Sequence, residues 1–341
     1  MTNSAAAAGT TATDPAAMRF TVDGWDPAYG AAFDVDDSVA LPETAQRIDA
    51  AVEVPESAWA PVDMPVLPTP SAVLFVDGVR RIDARVWIDP LDPSEMPQVS
   101  ICASIAAGVV CCCPGQAHVT TAESRRLLVT TAAHASDLRT PSATWTVTHT
   151  AGSADLPLLP VLSQALQQRL AALEVHTALQ ARSALVEHGL PDGDDLLVID
   201  GPLKGRAHLP RALGYIKTHR AEYLPPQLNA VVGQLQAGQR TPVFLLGTGW
   251  DRHAWYLRLP TGSRAPWAGV VRIECSADLP RPEVLSLAAL SQVLLPRHAS
   301  AEFRDPRAPQ NLNPIGGLEQ QLRHRLGDPR LLYRALQASS T

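Results

Sequence analysis

No run of apolar residues in this sequence approaches the roughly 20 that a membrane-spanning helix needs. The Ala- and Thr-rich start lacks a basic segment ahead of an apolar stretch, so no secretion signal is predicted. The five cysteines are odd in number and show no Cys-x-x-Cys spacing, which argues against a disulfide framework and a zinc site. The histidines form neither His-x-His nor His-Glu-x-x-His. We therefore expect a cytoplasmic protein with reduced cysteines and no membrane partner.

Lysine is nearly absent, because only Lys204 and Lys217 occur among 28 basic residues. A coding bias that replaces lysine by arginine leaves lysines where the chemistry needs a compact point charge, as a tight anion site does. Lys217 is the stronger candidate for such a site. Lys204 follows a turn, and chance explains the retention of a lysine there equally well.

The formal net charge of −6 argues against a nucleic-acid partner, but the charge is unevenly distributed. Residues 1–100 carry 5 Arg and Lys against 16 Asp and Glu, whereas residues 201–341 carry 18 against 9. The basic C-terminal part permits a face that binds phosphate. Attraction between acidic and basic parts of one chain would give the same asymmetry.

The chain is expected to form one main domain. With 46% apolar residues over 341 positions it can bury a sizeable core. Residues 1–17 are a low-complexity tail, expected to be disordered. Residues 18–70 are predicted to be an irregular acidic segment with one short helix around Thr44 to Val52, ordered by packing on a second copy of the chain. Residues 71–335 form the main domain.

The hydrophobic patterns of the main domain predict strands followed by a long helix. The segment AVLFVDGVRRIDARVWI predicts two strands around a turn at Gly78 to Arg81. A helix is predicted from Leu158 to Glu187, followed by the buried strand LLVID that ends at Asp200. The other predicted strands are Gln98–Cys113, Arg126–Thr131, Thr144–Thr150, Pro242–Leu246, Trp255–Leu259 and Gly269–Cys275, and the other helices are Pro225–Gln236, Arg281–Leu295 and Pro314–Leu326.

Two predicted strands end in Asp followed by Gly, at Asp77 and Asp200. Each dipeptide alone is typical of a turn, but two carboxylates at the ends of buried strands repel each other and attract a cation. Glu174, at the edge of the apolar helix stripe, adds a third oxygen ligand of the type that Mg²⁺ and Mn²⁺ prefer.

The order of these elements predicts the fold class. A strand, a meander, a helix with an acid and a strand with an acid follow the order of the ribonuclease H-like fold. Sites of this kind use two metal ions about 4 Å apart to cut phosphodiester bonds. The predicted fold class is therefore α/β, a ribonuclease H-like mixed sheet with flanking helices and an additional β-rich C-terminal part.

Five further stretches occur in an order that resembles NurA nucleases. They are SAVLFVDGVRR, DDLLVIDGPLKG, GYIKTHR, WYLRL followed by VVRIE, and DPRAPQNLNPIGGLEQQLRHRLGD. The earlier WDPAYG also fits, and the resemblance spans about Val22 to Leu332.

The resemblance implies a NurA-like nuclease domain over residues 71–335, a homodimer and a need for Mn²⁺, with Mg²⁺ as the second choice. It implies a single-strand endonuclease and 5′-to-3′ exonuclease that acts on DNA with a HerA-type hexameric ATPase. The implied role is end resection in double-strand break repair, with a nucleoid-associated location.

Carried over to this sequence, the metal ligands of the family fall on Asp77, Asp200 and Glu174, with Glu187 as the alternative helix acid. The late family ligand, often a histidine, has no match in NPIGGLEQQL, so Glu319 is the nearest choice and Asp305 the second. The predicted catalytic residues are Asp77, Glu174, Asp200 and Lys217. DNA binding is assigned to Lys204, Arg206, Arg211, Lys217, Arg220 and Arg307.

Two competing readings of the same residues remain open. A nuclease of the restriction-endonuclease type would pair Asp200 with Lys204, but the expected Glu-x-Lys is missing. A catalytically inactive ribonuclease H-like scaffold that binds DNA or an ATPase would have no need for the acids to converge. Trp250, Trp255 and Trp267 suit either base stacking or core packing, and core packing is the stronger expectation.

Overall fold

The computed structural model describes residues 18–22, 47–153, 156–219, 223–247, 249–263 and 265–340. The predicted tail at residues 1–17, much of the acidic segment and Arg220 lie outside this part of the chain. None of the described helices is long and apolar enough to cross a membrane.

The described chain forms twelve strands and five α-helices. The strands are β1 (Phe20–Val22), β2 (Arg47–Asp49), β3 (Ala72–Ile88), β4 (Gln98–Cys113), β5 (Gln116–Thr130), β6 (Leu138–Arg139), β7 (Thr144–His149), β8 (Asp195–Asp200), β9 (Ala212–Ile216), β10 (Phe244–Gly247), β11 (Asp251–Arg258) and β12 (Val270–Ser276). The helices are α1 (Leu158–Glu187), α2 (Pro226–Gln234), α3 (Arg281–Leu294), α4 (Asn313–Arg325) and α5 (Pro329–Ala338), with short 3-10 helices at Glu56–Ala58 and Leu295–His298.

The centre of the sheet has the order β9-β8-β3-β4-β5. β3, β4 and β5 form an antiparallel meander, and the chain then passes through α1 to β8 and β9, which run parallel to β3. This connectivity is the ribonuclease H-like arrangement. Antiparallel strands β12, β11 and β10 extend the sheet beyond β9. The predicted fold class, with its β-rich C-terminal addition, is confirmed.

Helices cover both faces of this central sheet. On one face the apolar stripe of α1, including Leu166 and Leu173, packs on Ile105 and Ala107 of β4. On the other face α3 packs on the first half of β3, and α4 packs through Leu318 and Leu322 on its middle. Side chains of β3 therefore alternate between the α1 face and the α3/α4 face.

The predicted turn at Gly78 to Arg81 is wrong. β3 is one strand of 17 residues and pairs with β4 from Val73 to Ile88, with one irregularity between Ile82 and Ala84. The long apolar strand β4 supplies a partner along this whole length, so the ladder continues through the Asp-Gly pair instead of turning there.

The predicted helix at Thr44 to Val52 is also wrong in its described part, because Arg47–Asp49 forms strand β2 beside β10. β1 pairs with β3, and Glu53 forms an ion pair with the buried Arg240 at 2.7 Å. The described parts of residues 18–70 thus pack on their own chain. The short strands β1, β6 and β9 and the terminal helix α5 were not predicted.

Candidate active site

The parallel pairing of β3 and β8 brings two acids together. Val76 lies opposite Ile199, so the next residues, Asp77 and Asp200, lie side by side on adjacent strands. Because side chains alternate along a strand, both point to the α3/α4 face. Asp77 is buried and the Asp200 side chain is 16% exposed. The two predicted acids therefore lie side by side, Asp200 at the end of β8 and Asp77 within the continuous strand β3, not at a strand end as predicted.

Glu174 reaches the same region from α1, on the other face of the sheet. A Cβ at Gly78 would overlap its Oε1 atom and lie 2.8 Å from Leu170 Cδ1. The glycine after Asp77 is therefore needed for the close approach of the helix acid. The Glu174 carboxylate forms a buried ion pair with Arg206. We call Asp77, Glu174 and Asp200 the acid cluster.

Lys217 is held at Asp200. Its Nζ lies 2.6 Å from Asp200 Oδ2 and donates to Asn311 Oδ1 at 3.0 Å. The buried Asn311 in turn donates from Nδ2 to Asp305 Oδ2 at 2.5 Å. The ammonium group is therefore fixed between two oxygen acceptors.

The segment before α4 and the helix itself form the rim of this region. Arg307 Nη2 lies 3.0 Å from Glu319 Oε2 and its Nε lies 3.3 Å from Asp305 Oδ1. Glu319 is also paired with Arg323 at 2.7 Å. Both proposed late acids thus belong to one ion-pair network beside Asp200.

The electrostatics of the acid cluster show that its charges are not fully balanced. Burial, with added repulsion from Asp200, holds the pKa of Asp77 well above its usual range. Burial raises the pKa of Glu174 to about 7, although Arg206 opposes this. Burial also raises the pKa of Asp200, while Lys217 acts in the opposite direction. Such a cluster favours an additional cation.

The donor chemistry of the cluster fits a hard divalent cation, since all of its candidate ligands are carboxylate oxygens. Among the described residues, no group of three or more His, Cys, Asp or Glu side chains lies close enough to hold a metal ion. Two of the three carboxylates already form ion pairs, Glu174 with Arg206 and Asp200 with Lys217.

Other predicted residues lie in different surroundings. Glu187 is exposed at the last position of α1, about 20 Å along the helix from Glu174, so the structure brings only Glu174 to the site. Arg211 donates to the Asp195 carbonyl at 2.6 Å, at the opposite end of β8 from Asp200, and is not brought to the cluster. Lys204 is exposed.

Sequence reasoning missed two contacts of the site. It assigned Arg206 to DNA, whereas its guanidinium is buried against Glu174. It did not single out Asn311, which holds Lys217; the only signal was its place in the segment that resembles NurA nucleases. Trp255 is a core residue, as expected, and Trp267 packs edge-on against Tyr256.

The comparisons with known proteins give low-scoring similarity to solved structures. No family model and no curated protein matches the sequence. The NurA nuclease from Sulfolobus solfataricus aligns with a TM-score of 0.41 and 10% identity over 79% of this chain and 84% of its own. Human ENDOV aligns with a TM-score of 0.38 and 17% identity over 75% of this chain and 84% of its own. At these scores the likenesses carry no argument about activity.

Proposed function

We propose that the chain is a metal-dependent DNA nuclease that hydrolyses phosphodiester bonds at the acid cluster. The observation that carries this proposal is the placement of Asp77 and Asp200, side by side on parallel strands with both carboxylates on one face. Two buried like charges destabilise a fold unless a cation or a proton balances them. An apolar pair would serve a purely structural role better.

The acid cluster, together with Glu319, would hold Mn²⁺ or Mg²⁺. When bound, such an ion activates water and stabilises the negative charge that develops on the phosphate. With all three acids ionised, Arg206 and Lys217 leave the cluster one negative charge, which supports binding of a further cation.

Lys217 would bind a phosphate oxygen of the substrate. Its ammonium is held beside Asp200 by Asn311 and its side chain is 20% exposed, so one face can meet a ligand. Arg206 would orient Glu174, because its guanidinium is itself fixed by donation to the Pro202 carbonyl at 2.8 Å.

The finer details of the function come from the motifs that resemble NurA nucleases. They include single-strand endonuclease and 5′-to-3′ exonuclease activity, a homodimer, and a HerA-type ATPase as partner in end resection. The dimer no longer gains support from the acidic segment, since its described parts pack on their own chain.

An inactive scaffold that binds DNA or an ATPase is the second candidate. The observation that favours it is that Arg206 and Lys217 already balance two carboxylates of the cluster. An active enzyme has to release these ion pairs, at least in part, to bind metal.

Digestion of single- and double-stranded DNA in Mn²⁺ and in chelator distinguishes the two candidates. We expect cutting only with metal, and none by Asp200→Asn, which keeps the shape of the side chain and removes its charge. Glu187→Gln is the matched control, since it removes a carboxylate from an exposed position. Absent cutting by a protein that still binds DNA would support the scaffold, whereas metal-independent cutting would contradict both candidates.

A further inference from the structure

Helix α4 connects the acid cluster to a basic part of the surface. In the middle of α4, Leu318 Cδ1 lies 3.2 Å from the Cβ position of Gly108, which is paired with Asp77 across β3 and β4. Glu319 follows at the rim of the site. The last turn of α4 carries Arg323, His324 and Arg325. The helix therefore leads away from the acids toward positive charge.

The far end of α4 has more positive charge than nearby acids balance. Arg325 and Arg330 are exposed, and neither forms an ion pair within the described part of the chain. Arg325 makes only a long hydrogen bond of 3.5 Å to the Ala122 carbonyl. Arg126 adds its guanidinium nearby, with Nη2 3.3 Å from the Cβ position of Gly327. Phosphates are the natural counter-charges for such a row.

An exposed aromatic ring lies at the other end of the same surface. Phe303 is 84% exposed, with the guanidinium carbon of Arg304 5.3 Å from its ring centre. The turn that carries it is tied to the site, because Arg307 pairs with Glu319 and Asp305 accepts from Asn311. A free aromatic face stacks on unpaired bases, whereas the bases of a duplex are already stacked.

We propose that a single nucleic-acid strand crosses the acid cluster along one surface, stacked on Phe303 and held through its phosphates by Arg325 and Arg330. This inference rests on the proposed function, which supplies the reason for a strand at the cluster. It places the strand along α4 and the start of α5, and not along the loop that carries Lys204 and Arg211. Arg304, Arg307 and Arg323 complete the same surface.

The test measures binding of a fluorescent single-stranded oligonucleotide by anisotropy, in chelator, at several salt concentrations. Each phosphate contact on a single strand contributes about 0.7 to the slope of log affinity against log salt. The double variant Arg325→Gln/Arg330→Gln should therefore lower this slope by about 1.4. The control Arg47→Gln/Arg169→Gln removes the same charge from an exposed site on the far sheet edge and one on α1, and should keep the wild-type slope.

Phe303 has a separate control. Both Phe303→Ala and Phe303→Leu should weaken single-strand binding at least about fivefold, since each removes base stacking, and neither should change duplex binding. Loss of affinity only in Phe303→Ala would show that apolar contact suffices and would overturn the stacking role.

Equal slopes for the two double variants would overturn the assignment of this surface to a nucleic-acid strand. The same equal slopes are expected if the surface binds an acidic protein instead. A separate digestion in Mn²⁺ keeps the proposals distinguishable. If the wild-type protein binds DNA with the predicted variant pattern and cuts nothing, the nuclease function fails while the surface stands. If it cuts and the variants bind like wild type, the surface fails alone.

Discussion

Replacing Gly78 by alanine should damage both stability and the acid cluster. The new methyl group would overlap Glu174 Oε1 and lie 2.8 Å from Leu170 Cδ1, and no positive φ is involved at this position. Overpacking of a buried site costs about 1–3 kcal/mol. If the Glu174 carboxylate moves away and breaks its buried pair with Arg206, the loss approaches about 5 kcal/mol.

Equilibrium unfolding of the metal-free protein in denaturant measures this loss. The control is Gly317→Ala in α4, where no atom lies within 4 Å of the added Cβ, so the helix should gain up to about 1 kcal/mol. In a double-mutant cycle, Gly78→Ala should cost less when Glu174 is already alanine. A Gly78→Ala protein that is as stable as wild type, and shows no coupling to Glu174, would refute this account of the glycine.

Three further outcomes follow from the site. In metal-free protein the contribution of Glu174 to the free energy of unfolding should fall by roughly 3 kcal/mol as pH rises from 4.5 to about 7, because Glu174 holds its proton more tightly when folded; a Glu174→Gln protein whose free energy of unfolding changes with pH as the wild type's does would contradict this. Lys217→Ala should cut slowly and Lys217→Arg should not fully restore the rate, since a planar guanidinium does not reproduce the compact point charge that Asp200 and Asn311 hold; equal rates for lysine and arginine would refute it. In the same digestion assay Glu174→Ala should be inactive and Glu187→Ala should cut at near the wild-type rate. The reverse pattern would show that the assignment of the helix acid to Glu174 is wrong.

The sequence patterns predicted the main elements because a long apolar stripe marks each of the main helices and an apolar run marks each buried strand. The helix from Leu158 to Glu187 and the strand from Gln98 to Cys113 have the predicted bounds. The end of β8 at Asp200 was predicted in the same way. Local patterns failed where tertiary pairing decides: a long partner strand carries β3 through its Asp-Gly step, and the edge of β10 turns Arg47–Asp49 into a strand.

The ion pairs of the site could not be predicted for a different reason. The partner of Glu174 depends on how the loop after β8 folds back over α1, and sequence spacing does not encode that path. Arg206 lies 32 positions from Glu174 and Asn311 lies 94 from Lys217. Asn311 and Arg206 therefore become visible as parts of the site only when the fold brings these segments together.

The central claim is that Asp77 and Asp200 act together as one cation site that cuts DNA. Its most direct test is the rate of Mn²⁺-dependent cleavage of single-stranded DNA by Asp77→Asn and by Asp200→Asn, with folding checked by thermal unfolding. Loss of a metal ligand removes several kcal/mol of transition-state stabilisation, so each folded variant should lose at least about a hundredfold in rate. The double variant should be no slower than the worse single one. Cleavage near the wild-type rate by either folded single variant would contradict the claim.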